Sequence, residues 1–275
     1  DDKVRIVGLD SSGLVASVAV VEDDNLLAEY TVNYKKTHSQ TLLPMLEEIA
    51  GMIELDLQTV DAIAVAGGPG SFTGLRIGSA TAKGLGLALD KPLIQVPTVD
   101  GLAYNLWGAG SLVCPLMDAR RNQTYTGLYC FGEGGMEILI PQCAVGIEEM
   151  ISNVNNFEQD VVFLGDGVPV FRDYIEGHCQ VPYTFAPAHM NKQRAAAVAA
   201  LGQEYYRSGR VQTAAEHCPE YLRLAQAERE RLAAAKAEAG KEERPGEKAE
   251  VGKGERPGEK TEAGKDGPKV EETHE

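Results

Sequence analysis

Aromatic residues and long apolar runs are both scarce in this sequence. Only 6% of the 275 residues are aromatic, with a single tryptophan. No run of about 18 consecutive apolar residues occurs, which is the length that a membrane-spanning helix needs. Hydrophobic residues nevertheless make up 43% of the chain, enough to form a sizeable core. We therefore expect a globular protein that does not cross a membrane.

The motifs of several common chemistries are also missing. The five cysteines are scattered and never form C-x-x-C, which argues for reduced, mostly buried thiols and against a zinc site. Neither the G-x-S-x-G motif of serine hydrolases nor the G-K-[S/T] ending of a nucleotide-binding loop is present. No basic and apolar leader precedes the first strand-like run, so we expect no secretory signal and a cytoplasmic protein. We accordingly expect neither a metal nor a cofactor.

Positive charge is in short supply, and the deficit is concentrated in one part of the chain. The sequence has 26 basic and 41 acidic residues, a net charge of -15. Residues 1–225 carry -12 of this, and residues 226–275 carry only -3. Neutralising phosphates supplies most of the non-specific affinity for nucleic acids. An acidic body of this kind is therefore expected to bind nucleic acid poorly by itself.

The last fifty residues differ from the rest in composition. The hexapeptide Glu-Arg-Pro-Gly-Glu-Lys occurs at 243–248 and again at 255–260. Such a segment cannot bury enough apolar surface to offset its ordering entropy. The preceding stretch Tyr221–Ala239 is rich in Ala, Leu, Glu and Arg, which favours a helix. Residues 226–275 are thus predicted to be a charged helical extension that leads into a disordered repeat tail.

Strand-like and helix-like patterns alternate through the remainder, which is typical of an α/β architecture with mixed sheets. The pattern begins with a strand hairpin and starts again near Trp107, so we predict two α/β lobes, residues 1–104 and 105–225. The predicted strands are Val4–Leu9, Leu14–Val21, Leu26–Tyr34, Val60–Ala66, Leu93–Val96, Leu112–Met117, Thr124–Phe131, Glu137–Ile140 and Val161–Leu164, and the predicted helices are Thr41–Glu54, Arg76–Leu89 and Arg194–Tyr206.

The segment Gly67–Gly78 has the pattern richest in possible function. It follows a predicted buried strand and opens a helix, where glycines allow backbone amides to converge on an anion. One interpretation is a phosphate loop. The alternative is a tight connection that lets a helix with a small-residue face at Gly78, Ala82 and Gly86 lie close to the sheet. The turn Asp10–Gly13 leaves a similar choice, between contact with a metal-bound phosphate and simple turn chemistry.

The first predicted helix carries a wide apolar stripe. Its residues follow the helical period, which is more typical of a core face, although the width and the methionines also suit a partner surface. The stripe residues that we predict at a partner interface are Leu42, Leu43, Met45, Leu46 and Ile49.

A short charged segment ends a strand of the second half. Asp118, Arg120 and Arg121 follow the apolar run Leu112–Met117. Adjacent arginines at such a position are either solvated or in contact with a carboxylate or a phosphate. These three residues are candidates for an interface or an anion contact.

Taken together, these segments resemble the TsaB (YeaZ-like) family, the dimerization subunit of bacterial tRNA threonylcarbamoyladenosine biosynthesis. The resemblance extends over about Val4 to Arg223, and the glycine segment is its most specific part. The matching motifs are Leu9-Asp10-Ser11-Ser12, His38-Ser39-Gln40-Thr41-Leu42-Leu43-Pro44, Gly68-Pro69-Gly70-Ser71-Phe72-Thr73-Gly74-Leu75-Arg76-Ile77-Gly78, Met117-Asp118-Ala119-Arg120-Arg121 and Pro219-Glu220-Tyr221-Leu222-Arg223.

The resemblance implies a two-lobed actin-like ATPase fold and a non-catalytic role. In that family the subunit pairs through its first lobe with a larger catalytic paralogue, TsaD, and a small ATPase subunit, TsaE, joins them. The resemblance implies that the complex transfers a threonylcarbamoyl group to the adenosine beside the tRNA anticodon. This chain would then meet tRNA only indirectly, through the complex. A homodimer of the isolated chain and an independent ATPase or small-molecule kinase are the alternatives. The residues that would be remnants of phosphate loops are Asp10, Ser11, Ser12, Gly68, Gly70, Ser71, Thr73 and Gly74.

The resemblance also allows a test of whether this chain is the catalytic paralogue. The paralogue has a His-x-x-x-His metal pair after the strand that follows the glycine-loop helix. The corresponding positions in this sequence are Thr98 and Leu102, neither of which is a good metal ligand. The sequence therefore predicts no catalytic residues and no metal.

Overall fold

A computed structural model describes residues 3–34 and 41–222 of the chain. The chain separates into two units, Asp1–Gln226 and Ala227–Glu275. The second unit lies wholly outside the described residues, as do the predicted repeat tail and all but the first two residues of the predicted helix Tyr221–Ala239. In the part of the chain that is described, no helix combines the length and the apolar composition needed to cross a membrane.

The first sheet has five strands in the order β3-β2-β1-β4-β5. The pairs β1–β2 and β2–β3 are antiparallel, and β4 and β5 continue the sheet in parallel with β1. The strands are β1 (Arg5–Asp10), β2 (Ala16–Glu22), β3 (Asn25–Val32), β4 (Ala62–Ala66) and β5 (Leu93–Val96), and the helices of this half are α1 (Leu42–Met52), α2 (Phe72–Leu89) and α3 (Thr98–Tyr104).

Both faces of this sheet are covered, which explains the continuous apolar runs of its central strands. Val7 and Leu9 point to one face, where they pack with residues of α1 and α2. Ile6 points to the other face and packs with a later helix, α6 (Ala195–Arg207). Gly8 allows α6 to lie close, because a Cβ there would overlap the carbonyl oxygen of Ala195.

The second sheet repeats the topology of the first, in the order β10-β9-β6-β7-β8. Here too the pairs β6–β7 and β7–β8 are antiparallel, and β9 and β10 continue the sheet in parallel with β6. One face packs on α4 and α5 and the other on α3. The elements are β6 (Leu112–Asp118), β7 (Gln123–Gly132), β8 (Gly135–Gly146), α4 (Ile147–Asn156), β9 (Val161–Leu164), α5 (Val168–His178) and β10 (Tyr183–Phe185).

The repeated topology confirms the predicted fold class of two α/β lobes with mixed sheets, the duplicated arrangement of the actin-like fold. The second half of the chain contributes to both lobes, because α6 packs on the first sheet. After α6 the chain stays there: the backbone of Gln212 exchanges two hydrogen bonds with Leu93 at the edge of β5.

All nine predicted strands and the three predicted helices before residue 221 are present, with shifted ends. Helix α2 begins at Phe72 rather than Arg76, because the Ser71 hydroxyl caps it by accepting a hydrogen bond from the Gly74 amide (3.3 Å). Strand β8 extends well beyond the predicted Glu137–Ile140. The elements that the sequence pattern did not predict are α3, α4, α5 and β10.

Candidate functional site

The hairpin tip after β1 and the glycine loop after β4 lie against each other. Strands β1 and β4 are parallel neighbours, so their carboxyl ends reach the same edge of the sheet. The Ser71 amide donates a hydrogen bond to the Ser12 carbonyl (2.7 Å), and the Ser11 hydroxyl donates to the Gly74 carbonyl (2.8 Å). The two segments that the sequence singled out as possible phosphate loops therefore form one contact.

Two glycines of the loop are required for this contact. A Cβ at Gly70 would overlap the carbonyl oxygen of Ser12, and a Cβ at Gly74 would overlap that of Ser11. Both oxygens belong to the backbone of the hairpin tip, which cannot move aside as a flexible side chain could. The close packing of tip and helix thus accounts for the glycines without a ligand.

Four amides of the glycine loop have hydrogen-bond partners within the protein. The Gly67 amide donates to the Val96 carbonyl (2.8 Å), and the Gly68 amide donates to the Thr98 hydroxyl (3.0 Å). The amides of Ser71 and Gly74 are bonded as described above. A phosphate loop needs amides that point at the ligand, and these four are used to hold the loop in place. The geometry favours the tight-connection interpretation.

The carboxylate of Asp10 is likewise engaged in its own turn. Asp10 is 2% exposed and accepts hydrogen bonds from the Ser12 amide (2.9 Å) and the Ser12 hydroxyl (2.6 Å). This is the Asx-turn chemistry by which aspartate stabilises a tip. Thr73, the remaining residue of the predicted phosphate-loop set, is exposed on the first turn of α2.

A cleft of about 350 Å³ separates this contact from the second lobe. Its second-lobe wall includes Asp118 and Asp166, and Asp166 accepts a hydrogen bond from the Asp118 amide (3.1 Å). Burial raises the pKa of Asp166 above its usual value, and this hydrogen bond offsets only part of the increase. On the first-lobe side the cleft is lined by Ser12, Gly13, Leu14, Gly70 and Ser71.

The predicted charged segment lies at the rim of this cleft. Arg120 forms an ion pair with Asp118 (3.2 Å), and its amide donates to the same carboxylate (2.8 Å). Arg120, Arg121 and Asn122 all have positive φ angles, between 56° and 64°. Both arginines are exposed. The structure brings Asp118 and Arg120 together at the cleft, whereas Arg121 is not among the residues that line it. Within residues 3–34 and 41–222, no group of three or more His, Cys, Asp or Glu side chains could hold a metal ion.

The structure divides the predicted interface residues of α1 into two groups. Leu42, Met45, Leu46 and Ile49 are each at most 5% exposed and belong to the core of the first lobe. Leu43 is 53% exposed on the outer side of the helix. A partner that binds the folded lobe through α1 can therefore contact Leu43 directly, whereas the other four residues hold the helix on the sheet.

Two further apolar residues of these helices are exposed, although neither lines the groove described next. Met52 at the end of α1 is 73% exposed, and Leu87 on α2 is 75% exposed. Between the helices lies an apolar groove of about 470 Å³ with Glu47 and Glu54 among its lining residues. We call Leu43, Met52, Leu87 and this groove the α1–α2 surface. The groove is also lined by Leu46, Ala50, Gly51, Leu55, Leu57 and Leu85.

The two positions that correspond to the paralogue's metal ligands are structural in this chain. Thr98 and Leu102 lie on α3 and are each 1% exposed. Thr98 exchanges two hydrogen bonds with Gly68, since its hydroxyl accepts from the Gly68 amide and its amide donates to the Gly68 carbonyl (2.8 Å). Leu102 belongs to the apolar cluster under the second sheet.

Comparison with known proteins places these observations in a family. Residues 25–231 match the family model described as TsaD, tRNA N6-adenosine threonylcarbamoyltransferase. The chain is 33% identical over 227 residues to the tRNA threonylcarbamoyladenosine biosynthesis protein TsaB of Bacillus subtilis, covering 82% of this chain and 96% of that protein. It is also 33% identical over 135 residues to TsaB of Escherichia coli, covering 48% of this chain and 58% of that protein.

A solved structure agrees with the relationship. YeaZ from Pseudomonas aeruginosa superposes with a TM-score of 0.66 at 26% sequence identity, covering 80% of this chain and all of that chain. The part of this chain beyond the similarity is about the length of the predicted extension and tail. The near-complete coverage of the Bacillus protein, together with the two-lobed fold, shows that the chain belongs to the TsaB family.

Proposed function

We propose that this chain is a non-catalytic structural subunit in the biosynthesis of threonylcarbamoyladenosine in tRNA. The observation that carries the proposal is the 33% identity to the Bacillus subtilis TsaB protein over 96% of its length. The family model that matches residues 25–231, which is described by the transferase TsaD, supports a role in the same reaction.

The geometry of the glycine loop supports a structural rather than a catalytic role. Four of its amides are bonded to the protein, and the Asp10 carboxylate is bonded to Ser12. The positions of the paralogue's metal ligands hold Thr98 and Leu102, both buried. These contacts weigh against the alternative function as an independent ATPase or kinase, because these four amides and the Asp10 carboxylate are not available to bind a phosphate or its metal ion.

The α1–α2 surface is the part of the first lobe that we propose binds the catalytic paralogue, TsaD, with TsaE joining the pair. Leu43 is exposed at the apolar groove, and Met52 and Leu87 expose large apolar side chains elsewhere on the same two helices. A groove of this kind is a candidate site for a partner. The net charge of -12 on residues 1–225 supports a subunit that meets tRNA only through its partner. The division of the body into residues 1–104 and 105–225 remains our proposal for the lobe boundary in the chain, although α6 of the second segment packs on the first sheet.

Substitution of the α1–α2 surface tests the proposal. In the variant Leu43→Glu with Leu87→Glu, two carboxylates would be desolvated in the interface, so we expect loss of co-purification with TsaD and loss of tRNA modification in a reconstituted reaction. Both side chains are more than half exposed, so the chain should stay folded, which circular dichroism would check.

The matched control introduces the same change on the other lobe. Val170 lies on α5, is 58% exposed and is distant in the fold from α1 and α2. Val170→Glu is expected to retain TsaD binding. Wild-type binding and modification by the double variant would overturn the proposed interface, whereas full modification by TsaD without any added subunit would overturn the proposed function itself.

A further inference from the structure

We propose that Gln142, Asp100 and Tyr129 form an interlobe clasp that holds the two lobes in one fixed relative orientation. The inference concerns the chain by itself and does not depend on the proposed partner. It rests on hydrogen bonds that connect the second sheet to the glycine loop, to α3 and to the segment after α6.

Gln142 connects three separate segments with one side chain. It lies on β8 of the second sheet, and its amide nitrogen donates to the Gly68 carbonyl (3.2 Å) and to the Glu220 carboxylate (3.0 Å). Its amide oxygen accepts from the Val99 amide at the start of α3 (3.4 Å). Both amide hydrogens and the amide oxygen are thus used. Separating the lobes would break all three hydrogen bonds at once.

The second part of the clasp is a buried hydrogen bond beneath Gln142. The Tyr129 hydroxyl on β7 donates to the Asp100 carboxylate on α3 (2.6 Å), and Asp100 is only 3% exposed. Burial raises the pKa of Asp100, while the Tyr129 hydroxyl, the Arg210 charge and the Tyr205 hydroxyl lower it. Movement of β7 away from α3 would remove the Tyr129 donor from this buried carboxylate, which is costly.

The glycine loop, which Gln142 contacts, is also held by the segment after α6. The Glu220 amide donates to the Gly67 carbonyl (2.6 Å), and the Tyr221 ring lies 5.0 Å from that of Phe72 at the start of α2. A Cβ at Gly68 would overlap the Glu220 carbonyl oxygen. The glycine loop is therefore held between the hairpin tip, α3 and residues 219–222, and Gln142 is the positioning residue that ties this assembly to the second sheet.

Hydrogen–deuterium exchange of the full chain tests the clasp with the variant Gln142→Glu. The shape of the side chain is kept, but the two donors are replaced by a carboxylate that faces the Gly68 carbonyl and the Glu220 carboxylate. We expect amide exchange in residues 66–72, 97–104 and 216–222 to become at least tenfold faster, with the rates in α5 and β9 unchanged. Tyr129→Phe should accelerate exchange in residues 97–104 in the same way.

A compensating change and a matched control complete the test. Adding Glu220→Gln to Gln142→Glu restores a donor opposite the new carboxylate, so exchange in residues 216–222 should slow again. Gln180→Glu makes the same substitution at an exposed second-lobe residue and should keep wild-type rates. Wild-type exchange in both Gln142→Glu and Tyr129→Phe would overturn the proposal. Uniformly faster exchange in every element would also overturn it, since the residues would then contribute to general stability rather than to an interlobe contact.

Discussion

The hairpin tips of the two lobes occupy equivalent places in the repeated topology but have different surroundings. Each tip begins with an aspartate that accepts a hydrogen bond from the amide two residues later: Asp10 from Ser12 at 2.9 Å, and Asp118 from Arg120 at 2.8 Å. In the first lobe the tip residues Asp10, Ser11 and Ser12 are buried, because the tip packs on the glycine loop. In the second lobe the Asp118 side chain remains 19% exposed and pairs with an arginine that is 87% exposed.

The connections opposite the two tips show the same contrast. In the second lobe the turn after β9 also has glycines, and a Cβ at Gly165 would overlap the Leu116 carbonyl oxygen. The glycines of that turn approach the strand β6, and its Asp166 accepts a hydrogen bond from the Asp118 amide and lies on the cleft wall. The same aspartate turn is therefore part of a buried contact in the first lobe and of an open cleft wall in the second. The difference depends on whether the facing loop packs directly on the tip.

Among substitutions that test this contrast, we expect the largest loss of stability at Gly74. Gly74→Ala should lower the free energy of unfolding by about 3 kcal/mol or more, because the added methyl group overlaps the Ser11 carbonyl oxygen. The matched control is Gly84→Ala on the same helix, where nothing lies within 4 Å of the added atom. It should stabilise the chain by about 0.5–1 kcal/mol. Urea denaturation measures both, and equal effects at the two glycines would contradict the packing explanation.

The next largest effect on stability is expected from a buried histidine and depends on pH. His217 is 1% exposed, its Nδ1 accepts from the Gln212 side chain (2.8 Å), and its Nε2 has no hydrogen-bond partner. Burial, and secondarily the charge of Lys83, lowers its pKa to about 4. The folded state therefore keeps the ring neutral at pH values where the unfolded state is already protonated. Stability is lost as the pH falls from about 6.5 to about 4.

This loss should amount to as much as about 3 kcal/mol across that pH range, since each pKa unit corresponds to about 1.4 kcal/mol. His217→Asn should remove most of the pH dependence of the free energy of unfolding, measured by urea denaturation between pH 7 and pH 4. The exposed His189 of the second lobe is the control, and His189→Asn should leave the pH dependence as it is. A pH dependence that survives His217→Asn would show that another group causes it.

The smallest effects are expected at the two tip aspartates, which compare the lobes directly. Asp10→Ala should cost about 2 kcal/mol, because it removes buried hydrogen bonds to a charged group. Asp118→Ala should cost less than about 1 kcal/mol, because its ion pair with Arg120 is largely in solvent. Thermal and urea unfolding of the two variants in parallel would check the order. Equal losses would mean that the second tip is as tightly held as the first.

The strands of both sheets were predictable because their apolar runs and turn residues are local signals. Helices α4 and α5 were not predicted, and both are short, with 10 and 11 residues. The α4 residues Ile147, Ile151 and Val154 do follow the helical spacing, so the sequence carried a signal for this helix. Helix α3 was missed because six of its seven residues are buried, so no polar face marks it as a helix. Strand β10 has three residues and pairs only with β9, which a sequence pattern cannot show.

The candidate site was predicted in part. The segments that meet at the hairpin tip were both singled out from their residues, but their mutual contact depends on β1 and β4 being neighbours in the sheet. The apolar stripe of α1 was recognised correctly as a stripe, yet four of its five chosen residues are core residues. A helical period identifies which residues share a face, and it does not say whether that face meets a sheet of the same chain or a partner. Neither Met52 nor Leu87 was among the chosen residues, and their exposure is seen only in the structure.

The sequence by itself determined the family, the alternation of strands and helices, the acidic body and the absence of His residues at positions 98 and 102. These follow from residue identity and from patterns within a few turns of chain. Only the tertiary structure shows that four amides of the glycine loop are hydrogen-bonded within the protein and that Leu43 rather than Leu46 faces outward. It also shows that Gln142 connects the two lobes. Such contacts join residues that are far apart in the chain, as between Gln142 and Glu220, which are 78 positions apart. They depend on which strands become neighbours when both apolar faces of each sheet are buried.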